Sequence, residues 1–342
     1  MTTVYFAGGE DINFTMFAGM VANASGGRFR PAFARCSIGD GSGSAAALAQ
    51  NCQPFTATTF WAQARFCNSF AAGQVANTAL MTFADSSAVI RLRLVITSAL
   101  VAGAVTFKVT KISAALVETT LFTGSIIFDA VGTGQEATAL TFNINYAVAG
   151  SIQLYYKGVS IGSFSGDITT DSVTSLSFIQ LRGTGGGNNC FWSECIVGDF
   201  DPRSCSLQTF APVANGNTHN FDTGTPAAAN VNETLVSDAT IDGSTTAGQI
   251  DEYTTAAVAT GTFAVIAYGV SARALQAAGG PSKMDLAVRT AATDFFSSDI
   301  TLLTTFTGYQ NWFVNNPNTG VPWLTSQIGN TAGFNIGIKS VT

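Results

Sequence analysis

The sequence predicts an all-β protein of two antiparallel β-sandwich, jelly-roll-like domains, and three observations carry that expectation. Apolar and polar residues alternate with period two, as on strands that bury one face. Turn residues recur about every eight to twelve positions, the spacing of sheets packed face to face. Helical periodicity is almost absent, and 342 residues exceed the usual reach of one hydrophobic core.

Residues 88–97 set Ile90, Leu92, Leu94 and Ile96 on one face and Arg91, Arg93 and Thr97 on the other, a half-buried strand. Residues 104–112 oppose Val105, Phe107 and Val109 to Thr106, Lys108 and Thr110, and Ala102-Gly103 suits the hairpin turn between the two strands. Residues 138–146 set Leu140, Phe142, Ile144 and Tyr146 against Thr141, Asn143 and Asn145. Ala149-Gly150 and Lys157-Gly158 then bracket a short strand at 151–156. Further strands are expected at 173–182 and 190–197, separated by the loop tip Gly183-Thr184-Gly185-Gly186-Gly187-Asn188-Asn189. That run lacks the following helix and Lys-Ser/Thr pair of a phosphate loop.

The pattern breaks at 198–207 around Asp199, Asp201, Pro202 and Arg203, which divides the chain into domains 1–203 and 204–342, the second a smaller β-sandwich. Residues 208–261 are polar, with a weak strand expected at 233–241. Clearer strands are expected at 262–271, 284–290, 309–315 and 333–341. Asn316-Pro317-Asn318-Thr319-Gly320 reads as a strong turn, and 322–328 as about one turn of helix carrying Trp323 toward a core.

Charged residues make up 11% of the chain, against roughly 25% in an average soluble protein. So sparse a charge predicts burial against partners. The net charge of −6 falls mainly beyond residue 205, and no Lys or Arg lies between Arg203 and Arg273. Nucleic-acid binding needs clustered positive charge and is not expected. Glu10 and Asp11 interrupt the first apolar stretch, so no secretory signal is read. Even residues 89–96 contain Arg91 and Arg93, so no membrane insertion is expected.

Cys36, Cys52, Cys67, Cys190, Cys195 and Cys205 form no CxxC pair. They read as small buried hydrophobes made in a reducing cytoplasm, with disulfides formed later, outside it, as the alternative. The chain's one imidazole, His219, sits in Asn217-Thr218-His219-Asn220, which reads as a solvated turn with no nucleophile to serve. No strand carries two acids in Glu-x-Asp spacing, and Glu118 and Glu194 each stand alone, so no glycosidase pair is expected. Asp238, Asp242, Asp251 and Glu252, and separately Asp199 and Asp201, lack the spacing of a calcium loop and read as solvated loop carboxylates. Hence no catalytic residue, cofactor or metal ligand is assigned. Among 26 phenylalanines and four tryptophans, Phe60-Trp61-Ala62-Gln63-Ala64-Arg65-Phe66 reads as core. Tyr155 and Tyr309 are the candidates for exposed rings able to stack on sugars.

The segment Asn143-Ile144-Asn145-Tyr146-Ala147-Val148-Ala149-Gly150-Ser151-Ile152-Gln153-Leu154-Tyr155-Tyr156-Lys157-Gly158 resembles the strand, turn, strand unit of concanavalin-A-like or laminin-G-like sandwiches in bacteriophage tail and other virion proteins. Phe191-Trp192-Ser193-Glu194-Cys195-Ile196-Val197 and the acidic exit Asp199-Phe200-Asp201-Pro202-Arg203 follow as in them. The ending, Asn316-Pro317-Asn318-Thr319-Gly320-Val321-Pro322-Trp323 leading to Gly333-Phe334-Asn335-Ile336-Gly337-Ile338, is similar to the close of phage appendage domains. The resemblance implies a non-enzymatic virion structural protein of the tail, baseplate or an appendage, assembled in the bacterial host cytoplasm. Its partners would be other virion proteins, further copies of itself in a homo-oligomer, and a host surface glycan. A head decoration protein or head fibre is the alternative placement, and a free carbohydrate-binding or polysaccharide-degrading protein the alternative from another class.

Overall fold

Strands that bury one face must find a second sheet to cover it, and this chain does so twice. The computed structural model describes residues 2–8, 11–17, 20–23, 37–40, 48–68, 77–98, 104–127, 138–183, 190–223, 228–233, 235–258 and 263–342. Two compact units emerge, residues 3–207 and 208–342. The fold is all-β and every strand pair among the described residues is antiparallel.

The first unit is a sandwich of two large sheets. One runs Val159–Gly166, Gly150–Tyr156, Thr138–Asn145, Thr59–Asn68, Cys190–Gly198, Ser37–Asp40 and Met20–Asn23, with Val4–Gly8 also paired to Cys190–Gly198. The other runs Glu118–Ile127, Ala104–Ile112, Ile90–Ile96, Thr78–Ala84, Phe178–Arg182, Leu48–Asn51 and Phe14–Met16. Their inner faces meet through aromatic rings: Phe83 of the second sheet stands edge-on to Phe60 and Phe142 of the first, at 5.9 and 5.3 Å between centroids. Leu92, Leu94, Ile96, Phe107, Leu140 and Ile144 fill the layer around them, all fully buried. Each such side chain contributes about 1.5–3 kcal/mol by leaving water.

The alternating pattern names these strands well, yet five expectations need correction. Arg91 does not face water; it is buried and paired with Asp85 at 2.7 Å and with Asp171. The strand expected at 173–182 spans only Phe178–Arg182, because Asp171 and Ser172 take left-handed φ values of 53° and 60° and Leu176 makes only an isolated bridge to Ala57. In Cys190–Gly198 a bulge at Glu194, φ 46°, lets both Trp192 and Cys195 enter the core although they are three positions apart. No strand forms among the described residues of 233–241, and the strand expected at 262–271 instead runs Tyr268–Ala274. Ala102-Gly103 and 184–189 of the glycine loop lie outside the described residues.

The second unit pairs Pro212–His219, Ile250–Thr255, Asn335–Val341, Lys283–Thr290 and Thr293–Phe296 in one sheet, with Ile300–Thr301 also on Lys283–Thr290. Tyr268–Ala274 and Thr307–Phe313 form a smaller sheet. Tyr268, Val270, Met284, Leu286 and Val288 from the two sheets share a core closed by Trp323 and Phe334. The turn after Asn316 forms as expected, with Gly320 N–H donating to the Asn316 carbonyl at 2.8 Å. The short helix is a 3-10 turn, Thr325–Gln327, and Trp323 is buried with its Nε1 donating to the Phe313 carbonyl at 2.7 Å.

Cys195 is a fully buried thiol, its pKa pushed up by that burial, and Cys205 is a half-buried free thiol. Half-buried Cys52 lies 3.6 Å from the Thr15 hydroxyl. Cys36 lies outside the described residues, as do the side chains of Cys67 and Cys190.

Candidate functional site

The outer face of the seven-stranded sheet is polar. Register places Gln50, Gln180, Thr82, Arg93, Thr110 and Thr120 in one row across neighbouring strands. Buried Gln180 and Thr82 are bonded within the row, with half-buried Gln50: Gln180 Nε2 donates to Gln50 Oε1 and Thr82 Oγ1 donates to Gln180 Oε1, both at 2.7 Å. Toward the edge strands it opens. Thr106, Thr120, Thr123 and Ser125 are exposed on the same face as half-buried Arg93, Lys108 and Glu118. Strand alternation in Thr106-Phe107-Lys108-Val109-Thr110 sends each aromatic or aliphatic side chain inward and each hydroxyl or cation outward.

Glu118 lies between two cations, 2.5 Å from Arg93 Nη2 and 2.9 Å from Lys108 Nζ. Burial pushes its carboxyl pKa up, but the bonds from Lys108 and Arg93 outweigh burial and hold it below the usual glutamate value. An ionised, doubly paired carboxylate is no proton donor near neutral pH. Among the described residues it is the one carboxylate in these rows.

Tyr155, expected to be exposed, is not. On the outer face of the other large sheet it stacks on Trp61 at 5.7 Å, and the Arg203 guanidinium lies over both rings, 4.2 Å from Tyr155 and 5.3 Å from Trp61. Asp201 grips Arg203 through both carboxylate oxygens, and Arg203 Nη1 donates to the Gly158 carbonyl at 3.2 Å. The acidic exit is thus a strap: Asp199 accepts from Thr3 N–H at 2.7 Å, while Glu194 accepts from Leu207 N–H and pairs with Arg65. Tyr309 is half-buried, its hydroxyl accepting from Leu303 N–H at 2.9 Å.

In the second unit the four loop acids do not form one group. Asp238 pairs on the surface with Arg273. Asp251 and Glu252 are not solvated loop carboxylates; they are adjacent on the strand Ile250–Thr255, point to opposite faces, and are both buried. Glu252 accepts from Thr218 N–H at 2.8 Å and lies 3.9 Å from Arg289; burial, then Asp294, raises its pKa.

His219 is likewise no solvated turn. It ends the strand Pro212–His219 directly opposite Asp251, with Nδ1 2.7 Å from Asp251 Oδ2. Asp251 Oδ1 accepts from the N–H groups of Asn220 and Phe221 at 2.8 and 3.0 Å. Asp242 arrives from the segment bridged to Thr223 through Gly243. The Tyr253 hydroxyl, two residues past Asp251 on the same face, meets Asp242 Oδ2 at 2.6 Å and Asp251 Oδ2 at 3.1 Å. Burial and the neighbouring Asp251 carboxylate push the Asp242 carboxyl up to about 6. The sequence groups Asp242 with Asp251 among loop acids but does not bring His219 to them, since the three meet only through the pairing of two strands and the bridge beside Asp242.

No family model matches the chain, and no curated protein matches it. Among solved structures it is similar to an endo-β-1,4-glucuronan lyase from the fungus Trichoderma reesei, at 10% identity over 58% of this chain and 96% of that one, TM-score 0.42. It is similar also to the T. cruzi calreticulin globular domain, at 9% identity over 59% of this chain and 90% of that one, TM-score 0.38. A third is the Emp47p carbohydrate recognition domain, at 8% identity over 57% of this chain and 96% of that one, TM-score 0.32. At TM-scores below 0.5 these likenesses carry no argument, and the β-sandwich assignment rests on the sheets themselves.

Proposed function

We propose that the protein is a non-enzymatic β-sandwich scaffold that contacts glycans, acidic ones above all, through the open edge of its seven-stranded sheet. One observation supports this reading: Arg93 and Lys108 stand among the exposed hydroxyls of Thr106, Thr120, Thr123 and Ser125 on rigid neighbouring strands. Hydroxyls match sugar hydroxyls, and the two cations match uronate, sialate or sulfate groups, with Glu118 holding them in place until a ligand anion competes. The setting we propose is the bacteriophage virion, in the tail, baseplate or an appendage, as a homo-oligomer packed against other virion proteins. That setting is supported by the resemblance of residues 143–158 and of the chain's ending to such proteins, and by the low charge. Repeated copies would turn weak single-site contacts into firm attachment.

A glycan array of neutral and acidic polysaccharides tests the first part. Binding confined to acidic glycans is expected, and Arg93→Ala or Lys108→Ala lowers it at least about tenfold, as losing a charged hydrogen bond of about 1.5–3 kcal/mol requires. Binding that both variants leave intact would refute the reading. Mass spectrometry of purified particles tests the setting, and absence of the chain from them refutes it.

A further inference from the structure

We infer that His219, Asp242 and Asp251 form a binding site for a divalent first-row transition-metal cation, independent of the glycan surface. One ligand atom from each residue lies within 4.8 Å of the other two. An imidazole nitrogen with two carboxylate oxygens is a donor set for zinc and its neighbours, and three protein ligands leave a position open to water or a further ligand.

What separates this cluster from a chance meeting of acids is how its atoms are satisfied. Each carboxylate is anchored by donors outside the cluster and keeps an oxygen facing into it. Asp251 is fully buried, and its Oδ1 is held by two backbone N–H groups while Oδ2 faces His219 and accepts from the Tyr253 hydroxyl at 3.1 Å. Asp242 Oδ2 is held by the Tyr253 hydroxyl, while Oδ1 is buried with no hydrogen-bond partner. Both nitrogens of His219 are likewise buried without a hydrogen bond, although Nδ1 is only 2.7 Å from Asp251 Oδ2. Nδ1 and Asp251 Oδ2 thus approach closely without a directed hydrogen bond between them. A buried acceptor without a partner is costly, and a cation here takes one ligand atom from each of the three residues. Anchored outer donors of this kind orient the ligands of protein metal sites.

The test uses the untagged full chain, stripped with chelator and titrated with zinc chloride, with calcium chloride as a parallel arm. The chain has six thiols that also attract zinc, so the readout is the ¹⁵N chemical shift of its single imidazole. Saturable movement of the His219 resonance with one equivalent of zinc, and none with calcium at the same concentration, is expected. His219→Gln, Asp242→Asn and Tyr253→Phe, each checked for folding by near-ultraviolet circular dichroism, are followed by equilibrium dialysis with the thiols alkylated. The two ligand variants lose at least tenfold in zinc affinity, and Tyr253→Phe, which leaves all three ligands, about tenfold. If one variant does not fold, the others carry the comparison. A His219 resonance unmoved by zinc, or zinc affinity unchanged in the folded variants, overturns the assignment. None of these readouts depends on glycan binding, so the site and the proposed function fail separately.

Discussion

Arg91 shows how much one side chain on this fold depends on residues distant in sequence. It and Asp85 are both buried, and Asp171 completes the arrangement. Removing one partner strands a charge out of water, so Asp85→Ala is expected to cost about 3–5 kcal/mol in urea unfolding. The double variant Arg91→Met, Asp85→Leu recovers only part of that loss, because apolar groups replace the ion pair but leave the Ser87 and Val89 N–H groups without the Asp85 oxygen that accepts from them. Glu118 gives a pH signature. Its folded pKa is depressed, so its stabilisation is fully present above the ordinary glutamate value and is lost as the pH falls through the lower, folded one. Glu118→Gln should therefore flatten the acid limb of the stability curve, measured by thermal melts between about pH 2 and 6, and an unchanged limb would show the cluster contributes nothing. The sequence indicates that these groups lie on an outward face. It does not indicate what covers them, because the Arg203 guanidinium that hides Tyr155 comes from a segment beyond three further strands.

At the scale of strands, legibility followed the apolar face. Ile90–Ile96, Ala104–Ile112 and Thr138–Asn145 alternate cleanly, and their bounds were readable to within a residue or two. Pro212–His219 and Ile250–Thr255 were not readable, for a physical reason. The first is mostly exposed and polar, and the second buries Asp251 and Glu252 on its two faces, so neither shows the alternation that marks a strand. The His219 cluster was invisible for the same reason, since its register is set by those two strands. Turns were legible where the backbone demanded glycine. A Cβ on Gly150 would stand 2.2 Å from the Asn145 carbonyl oxygen and 2.6 Å from that of Ala147, so the hairpin joining Thr138–Asn145 to Gly150–Tyr156 must shift to admit it. Gly150→Ala is expected to destabilise the first unit by about 2 kcal/mol or more. Gly158, with φ 78° and open space around it, is the control: there alanine meets only backbone strain, about 1 kcal/mol. Equal melting temperatures for the two variants would contradict this account.

Over the whole molecule, two separate cores predict two separable folding units. The first is built from Phe6, Phe60, Phe83, Phe142 and Trp192 with their aliphatic neighbours, the second from Tyr268, Leu286, Val288, Trp323 and Phe334. No residue is common to both, and each unit exceeds the size at which a single core sustains a fold without staples. A chain ending at Leu207 should therefore melt cooperatively by calorimetry. Every residue of the proposed glycan surface, from Arg93 to Ser125, belongs to that fragment, so it should keep single-site affinity for acidic glycans within about twofold of the full chain. With its thiols alkylated it should bind no zinc in equilibrium dialysis, since His219, Asp242 and Asp251 all lie in the second unit. The division of charge agrees, because the cations that would draw an anion sit in the first unit while the second carries most of the net negative charge. A fragment that melts without cooperativity would show that the core of 3–207 cannot stand alone. One that folds yet loses the glycan would move the binding surface out of the seven-stranded sheet altogether.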